Sequence, residues 1–215
     1  MVPEEFKKEW MVDAQAGTVA FGSAYHNWAT SLPFMAKKNV NFKQIYEFME
    51  KEQRRELAQA APLHEVLLDM IVEKLPSADA AQKYRIPHIW RGESEEDIGQ
   101  AMVNANADGD SAFMVTKVVL DPHAGEIAVG RLFSGTIKKG DQMYVAGMPN
   151  ANRVQSVGMF VGGDRIATEN VTAGNIIAVS GLRDAQSGST ISSNKDMTPF
   201  ERIVHNSDPV VTTAI

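Results

Sequence analysis

Residues 17–28, "GTVAFGSAYHNW", have the residue types that most directly suggest ligand binding. The apolar run from Thr18 to Phe21 predicts a short strand. It is followed at once by three very small residues, Gly22, Ser23 and Ala24. Small residues let the main chain come close to another segment or to a ligand. The sequence therefore predicts either tight packing or a main-chain contact with a ligand at this strand end.

No complete catalytic or metal-binding motif accompanies this segment. The sequence lacks the GxxxxGK[ST] phosphate loop. "HEVLLD" begins like the HExxH zinc motif, but Leu68 stands where the second His would be, and we interpret His64 as a surface residue. Residues 192–197, "SSNKDM", lack the residue that separates Lys from Asp in the guanine-reading Asn-Lys-x-Asp motif, and they predict a polar turn. The five histidines are scattered, so we expect no catalytic residue and no metal site.

Two adjacent lysines, Lys138 and Lys139, are candidates for phosphate contact. They lie in "TIKKGDQMYV", which predicts a β-hairpin with Gly140 in the left-handed conformation of the tight loop. Lysines at a hairpin tip could reach nucleic-acid phosphates. The alternative is a solvated strand edge whose charges discourage aggregation, and pattern alone favours that alternative.

The composition limits the function classes. The chain has 215 residues, 44% hydrophobic and 22% charged, with a formal net charge of −6 and no cysteine. An acidic chain has no overall attraction to nucleic acid, so RNA contact would need a local basic patch. Disulfides are impossible, and neither a signal peptide nor a membrane span is apparent, so we expect a cytoplasmic protein without membrane contact.

The chain divides by pattern into four parts. Residues 1–76 are predicted to be mostly helical: Asn41 begins a helix with Gln44 as capping-box partner, "KEQRRELAQA" is composed of helix formers, and a third helix runs from Pro62 to Pro76. Residues 77–107 lack a sustained period and predict a connector held by Ile86, Ile89 and Trp90. Residues 108–197 contain short β runs that favour a closed barrel. Residues 198–215 predict a linker and the start of a third domain, in which "SDPVVTTAI" would be cut within a strand, as in a fragment of a longer protein.

Several longer stretches carry a resemblance to a known family. These are "GTVAFGSAYHNWA", "PLHEVLLDMIVEKLP", "AQKYRIPHIWRG", "DPHAGEIAVGRLFSGTIKKGD", "AGNIIAVSGL" and "PVVTTAI". In this order they resemble translation elongation factor 2, with the short "DPHAGE" turn typical of the archaeal type. The resemblance covers essentially the whole chain. "YRIPHIW" is specific to the family, whereas "RLFSGTIKKGD" is shared more loosely by other translational GTPases.

The resemblance implies a mixed α/β and β fold: the end of a GTPase domain, a complete β-barrel second domain and the start of a third. Gly22, Ser23 and Ala24 then match the last guanine-nucleotide motif, in which a main-chain amide contacts the purine O6. Tyr25 stands where many small GTPases carry Lys, so the side-chain part of that contact is not implied. Gly135, Lys138 and Lys139 become candidates for contact with small-subunit ribosomal RNA.

The family couples GTP hydrolysis, with Mg²⁺, to movement of tRNA and mRNA on the ribosome. The phosphate loop, the switch segments and the metal ligands would lie before Met1, so the chain alone is expected to bind no cofactor and to lack GTPase activity. Its partners would be the ribosome and the other domains of the intact factor. Apolar surface normally covered by missing strands would favour self-association.

Two alternatives remain. The chain could belong to a paralogous ribosome- or spliceosome-associated GTPase, although the Ile-Pro-His-Ile-Trp stretch argues against this. It could instead be a stand-alone β-barrel module that binds RNA or protein. The coding sequence upstream of Met1 would distinguish these possibilities.

Overall fold

The computed structural model describes residues 11–93, 96–122 and 124–201, and the chain divides into two compact units with the boundary between Pro76 and Ser77. The first unit begins with an antiparallel hairpin of β1 (Phe21–Ser23) and β2 (Trp28–Thr30). The strand predicted over Thr18–Phe21 is thus displaced: residues 18–20 are not strand, and Gly22 and Ser23 lie within β1. The displacement arises because β1 is defined by its pairing with β2, which the apolar run did not reveal.

Four helices follow in the described part of this unit: α1 (Leu32–Lys38), α2 (Phe42–Glu50), α3 (Arg54–Ala60) and α4 (Leu63–Lys74). The predicted capping box of α2 is confirmed. The Asn41 side chain accepts from the Gln44 amide at 2.9 Å, and the Gln44 side chain accepts from the Asn41 amide at 2.9 Å. The helix predicted after Pro62 is confirmed as well, with Pro62 as the residue that precedes its first turn.

The helices pack over the hairpin through a small buried core. Its fully buried members come from β2, from the helices and from the α3–α4 junction: Ala29, Phe34, Ile45, Leu57, Ala61 and Val66. Two ion pairs join α1 to α4, Lys37–Asp69 at 2.9 Å and Lys38–Glu65 at 2.8 Å. The far side of α4 carries exposed apolar side chains, namely Leu67, Leu68, Ile71, Val72 and Leu75.

Residues 77–107, predicted to be a connector with no sustained period, contain two helices, α5 (Ala78–Ile89) and α6 (Asp97–Val103). The buried stripe of α5 and the residue after it consists of Gln82, Ile86 and Trp90, which are spaced four apart. Because one of the three is polar and Pro87 lies within the helix, the period was not visible as a hydrophobic pattern. The Gln82 amide nitrogen donates to the carbonyls of Met102 and Phe133.

The predicted anchoring of this segment is confirmed. Ile86 and Trp90 are buried against Phe133 of the barrel, and Ile89 is half-buried beside them. The Trp90 indole donates to the Thr198 carbonyl at 2.7 Å, and its main chain forms a β-bridge with Phe200. The segment that leads into the barrel and the segment that follows it therefore lie side by side.

The second unit is a β-barrel of short antiparallel strands. The described strands are β3 (Ala112–Asp121), β4 (Gly125–Ser134), β5 (Thr136–Lys138), β6 (Gln142–Val145), β7 (Ala151–Arg153), β8 (Ser156–Val161), β9 (Asp164–Thr168), β10 (Asn170–Thr172), β11 (Ile176–Ser180) and β12 (Thr190–Ser192). The main sheet has the order β7-β6-β12-β3-β4-β11-β8-β9, and β5 and β10 form a separate ribbon. The strands next to the two ends of the sheet, β6 and β8, and the ribbon contribute to one core, through Met143, Val157, Ile137 and Val171. The expected mixed α/β and β fold, with a β-barrel in the second unit, is confirmed.

The hairpin predicted in "TIKKGDQMYV" is wrong in its pairing. The turn exists, with Gly140 at φ 94° and the Asp141 side chain accepting from the Lys138 amide at 2.9 Å. However, β5 pairs with β10, whereas β6 pairs with β7 and β12. The turn thus carries the chain from the ribbon to the main sheet, a corner that strand propensity alone cannot distinguish from a hairpin.

Residues 198–215 were predicted to be a linker and the start of a third domain, and the structure describes only 198–201 of them. The strand predicted within "SDPVVTTAI" lies outside the described residues. No helix in the described ranges is long and apolar enough to span a membrane.

Candidate functional site

The three small residues of the first unit lie at the start of the β1–β2 hairpin. A Cβ at Gly22 would stand 2.5 Å from the Trp28 carbonyl oxygen and 2.7 Å from Ala29 Cα. Gly22 is therefore required by the close approach of the two strands. This is the packing explanation that the sequence left open for this position.

Ser23 and Ala24 form the beginning of the turn. The Ser23 hydroxyl accepts from the His26 amide at 3.3 Å, and the Ala24 carbonyl accepts from the Asn27 amide at 3.2 Å. Ala24 is exposed, and so is Tyr25, which is 89% exposed as a residue and whose ring stands edge-on to that of His26. An exposed turn with a methyl side chain leaves its main chain accessible to a planar ligand edge.

The candidate RNA-contact residues lie on the β4–β5–β6 path. Lys138 and Lys139 are both exposed. Gly135 is buried, at φ 77°, and a Cβ there would stand 2.6 Å from Ser111 Cα. Gly135 also donates its amide to the Asn106 carbonyl at 2.7 Å and accepts from the Ala173 amide at 2.9 Å. The two lysines are thus presented to solvent by a turn that packing holds in place.

A third basic residue, Arg153, lies next to the lysine turn. Its guanidinium is 3.8 Å from the position that a Cβ on Gly140 would occupy, and Arg153 pairs with Gln142 across β6 and β7. The sequence shows Arg153 as one of several basic residues in the β region. Only the pairing of β6 with β7 brings it to the turn, and no local pattern signals that pairing.

The residues excluded from chemistry on sequence grounds occupy ordinary positions. His64 is exposed, and Glu65 is engaged by Lys38. Asn194 uses its side chain within a turn, accepting from the Asp196 amide at 3.0 Å. Within the ranges that the structure describes, no group of three or more His, Asp and Glu side chains could hold a metal ion.

Comparison with known proteins first defines the class. Residues 125–192 match the family model described as "Elongation factor Tu domain 2", so the barrel is similar in sequence to the second domain of that translation factor. The chain is 54% identical to elongation factor 2 of Picrophilus torridus over 213 residues. The match takes in 99% of this chain and 29% of that protein. The corresponding values are 52% identity and 30% coverage for elongation factor 2 of Methanosarcina thermophila, and 53% and 29% for that of Thermococcus gammatolerans.

These matches confirm the resemblance stated from the sequence. The chain is a homologue, over its whole length, of part of archaeal elongation factor 2. It spans about 30% of the length of the curated relatives that it matches.

Proposed function

We propose that the chain is part of a translational GTPase that promotes GTP-dependent movement of tRNA and mRNA on the ribosome in the cytoplasm. The observation that carries this proposal is the identity of about one residue in two with elongation factor 2 proteins across the entire chain, 54% in the relative from Picrophilus torridus. We assign residues 1–76 to the end of the GTP-binding domain, 77–107 to a connector, 108–197 to the β-barrel and 198–215 to the start of a third domain.

Unit 1 has a feature that supports its assignment to a larger domain. The far side of α4 exposes Leu68 at 57%, Val72 at 82% and Leu75 at 63%. Helices of soluble domains normally bury such a stripe against another layer. A sheet supplied by further residues of the GTP-binding domain would cover it.

The nucleotide role that we propose for Gly22, Ser23 and Ala24 is confined to the purine. The exposed Ala24 turn is compatible with a guanine edge meeting the main chain, whereas the conformation of Gly22 is already explained by strand pairing. In phosphoryl transfer the phosphate loop and Mg²⁺ supply nearly all of the transition-state stabilisation. Because the sequence has no GxxxxGK[ST] phosphate loop, we assign the phosphate and Mg²⁺ sites to other parts of the factor.

The barrel's proposed role is to contact small-subunit ribosomal RNA through Lys138 and Lys139, with Gly135 shaping the turn. Both lysines are exposed, and Arg153 adds a further positive charge beside them. Phosphate contacts of this kind are independent of sequence, and salt weakens them.

The test is ribosome binding by the parent protein carrying Lys138→Glu and Lys139→Glu. Each lost phosphate contact makes the negative slope of log affinity against log salt less steep, by roughly 0.7–0.9. The loss of affinity should therefore be largest at ~50 mM salt and small at ~200 mM. Co-sedimentation with ribosomes measures the affinity at each salt concentration.

A matched control carries Lys117→Glu and Lys195→Glu, two exposed lysines elsewhere on the barrel unit, with the same change in net charge. Equal salt dependence in the two double variants would reject the lysine turn as the RNA contact.

A further inference from the structure

A groove of about 330 Å³ runs along the outer face of the barrel beside α5. Its walls are mainly apolar, and two arginines lie in it. The residues that form it and bear on the argument are Arg85, Ile89, Met114, Arg131, Phe133 and Ile176.

The register of the sheet explains why these side chains meet. Arg131 of β4 is directly opposite Met114 of β3 and Ile176 of β11. Residues opposite each other on neighbouring strands point to the same face. Leu132, the next residue, is buried in the barrel core, so Arg131 and its two neighbours face outward. On α5, Arg85 and Ile89 are four residues apart and share the helix side that borders this face.

Neither arginine has an acidic partner within the part of the chain that the structure describes. Among the ion pairs of the described residues, none includes Arg85 or Arg131. Partial burial, and then the positive charge of Arg85, lower the pKa of Arg131 below its usual value. The groove therefore holds two like charges that repel each other, one of them partly removed from water.

We propose that this groove receives an acidic polypeptide segment, a carboxylate flanked by apolar side chains, that belongs to the parent protein outside these 215 residues. A carboxylate would neutralise the arginine pair and accept paired hydrogen bonds from a guanidinium. Apolar neighbours of that carboxylate would pack on Met114, Ile89 and Ile176, of which Ile176 is 61% exposed.

Charge and wall chemistry favour polypeptide over nucleic acid. Single-stranded nucleic acid binds where aromatic rings are free to stack on bases. The one aromatic wall residue, Phe133, is 4% exposed, and its ring packs against Phe200 at a centroid distance of 5.0 Å. Apart from the two arginines, Thr116 and Gly130, the remaining walls are aliphatic or thioether groups, which suit apolar side chains.

That the acidic segment comes from the parent protein rests on the proposed function, in which the chain is part of a longer factor. The relatives are more than three times as long as the part matched here. A tethered segment has an effective concentration in the millimolar range, so a shallow groove can hold it even with weak intrinsic affinity.

The test is site-specific photo-crosslinking of the ribosome-free parent protein. A benzophenone amino acid replaces Thr116, an exposed residue that lines the groove, and the crosslinked peptides are identified by mass spectrometry. The expected product joins Thr116 to a peptide from outside residues 1–215 that contains Asp or Glu beside apolar residues. The same probe at Val161, an exposed position outside the groove, should not capture that peptide.

The variant Arg85→Gln with Arg131→Gln should reduce the crosslink yield about tenfold, because both charge-assisted contacts are lost. The control Arg55→Gln with Arg183→Gln, at two exposed arginines that do not line the groove, should leave the yield unchanged. Capture of RNA, of a separate protein or of residues 1–215, no crosslink, or an unchanged yield in the first variant would each overturn the proposal. Ribosomes are absent, so these results do not depend on the outcome of the lysine test.

Discussion

Glycines show how a single residue can suggest a ligand site and yet have a packing role. Gly22 and Gly135 were both marked as candidate contacts from the sequence. In the structure, Gly22 allows two strands to approach, and Gly135 combines a left-handed φ with backbone contact to Ser111. Because packing already requires Gly135, its replacement cannot report on RNA contact alone, and the lysines are the better probes.

The variant Gly135→Ala should destabilise the barrel by about 2–4 kcal/mol, the sum of a left-handed alanine and steric overlap with Ser111. Urea unfolding, followed by a probe in the barrel, measures the change.

Two other glycines separate these effects. Gly125 has φ 70° with open space around its Cβ position, so Gly125→Ala should cost about 1 kcal/mol from conformation alone. Gly163 has neither a left-handed φ nor a neighbour within 4 Å, so Gly163→Ala should change stability by less than about 0.5 kcal/mol. Equal effects at Gly135 and Gly163 would contradict this explanation.

At the scale of the element, the start of α2 provides a direct test of capping. The variant Asn41→Ala removes the acceptor of the Gln44 amide and should destabilise unit 1 by about 1 kcal/mol. Hydrogen exchange of the α2 amides, together with urea unfolding, measures the loss.

Gln53 offers the control, because it precedes α3 without a side-chain capping hydrogen bond. Gln53→Ala should therefore leave stability nearly unchanged. If Gln53→Ala lowered the stability as much as Asn41→Ala, the capping box of Asn41 and Gln44 would contribute nothing specific to the stability of the first unit.

Prediction from the sequence succeeded where the signal is local. The capping box of α2, the proline before α4 and the β-branched runs of the barrel all lie within a few residues of the structure that they determine. The hairpin β1–β2, the helix α5 and the β5–β10 ribbon were missed because each depends on partners distant in sequence or on a buried polar residue such as Gln82. The same limit applies to the candidate sites. The lysine turn was visible in the sequence, whereas Arg153 and the groove of Arg85 and Arg131 needed the strand register.

At the scale of the whole molecule, the distribution of nucleotide-binding groups leads to a prediction for the 215-residue chain. Titration with a fluorescent guanine nucleotide in the presence of Mg²⁺ should show no saturable micromolar binding. The purine contact that we propose at Ala24 would lack the phosphate and metal contacts on which affinity and catalysis depend.

The parent protein is the positive control and should bind the same nucleotide. Saturable binding by the chain at micromolar concentration would overturn the assignment of the phosphate and metal sites to other parts of the factor.

The bridge between Trp90 and Phe200 has a mechanical consequence. Main-chain bonding there, the indole bond to Thr198 and the Arg91–Glu201 ion pair hold together the two points at which the polypeptide joins the barrel. A pulling force between the flanking regions of a longer polypeptide would pass across this clamp instead of through the sheet. The barrel would then stay folded under tension until the clamp breaks, and would act as a rigid joint between the parts that it connects.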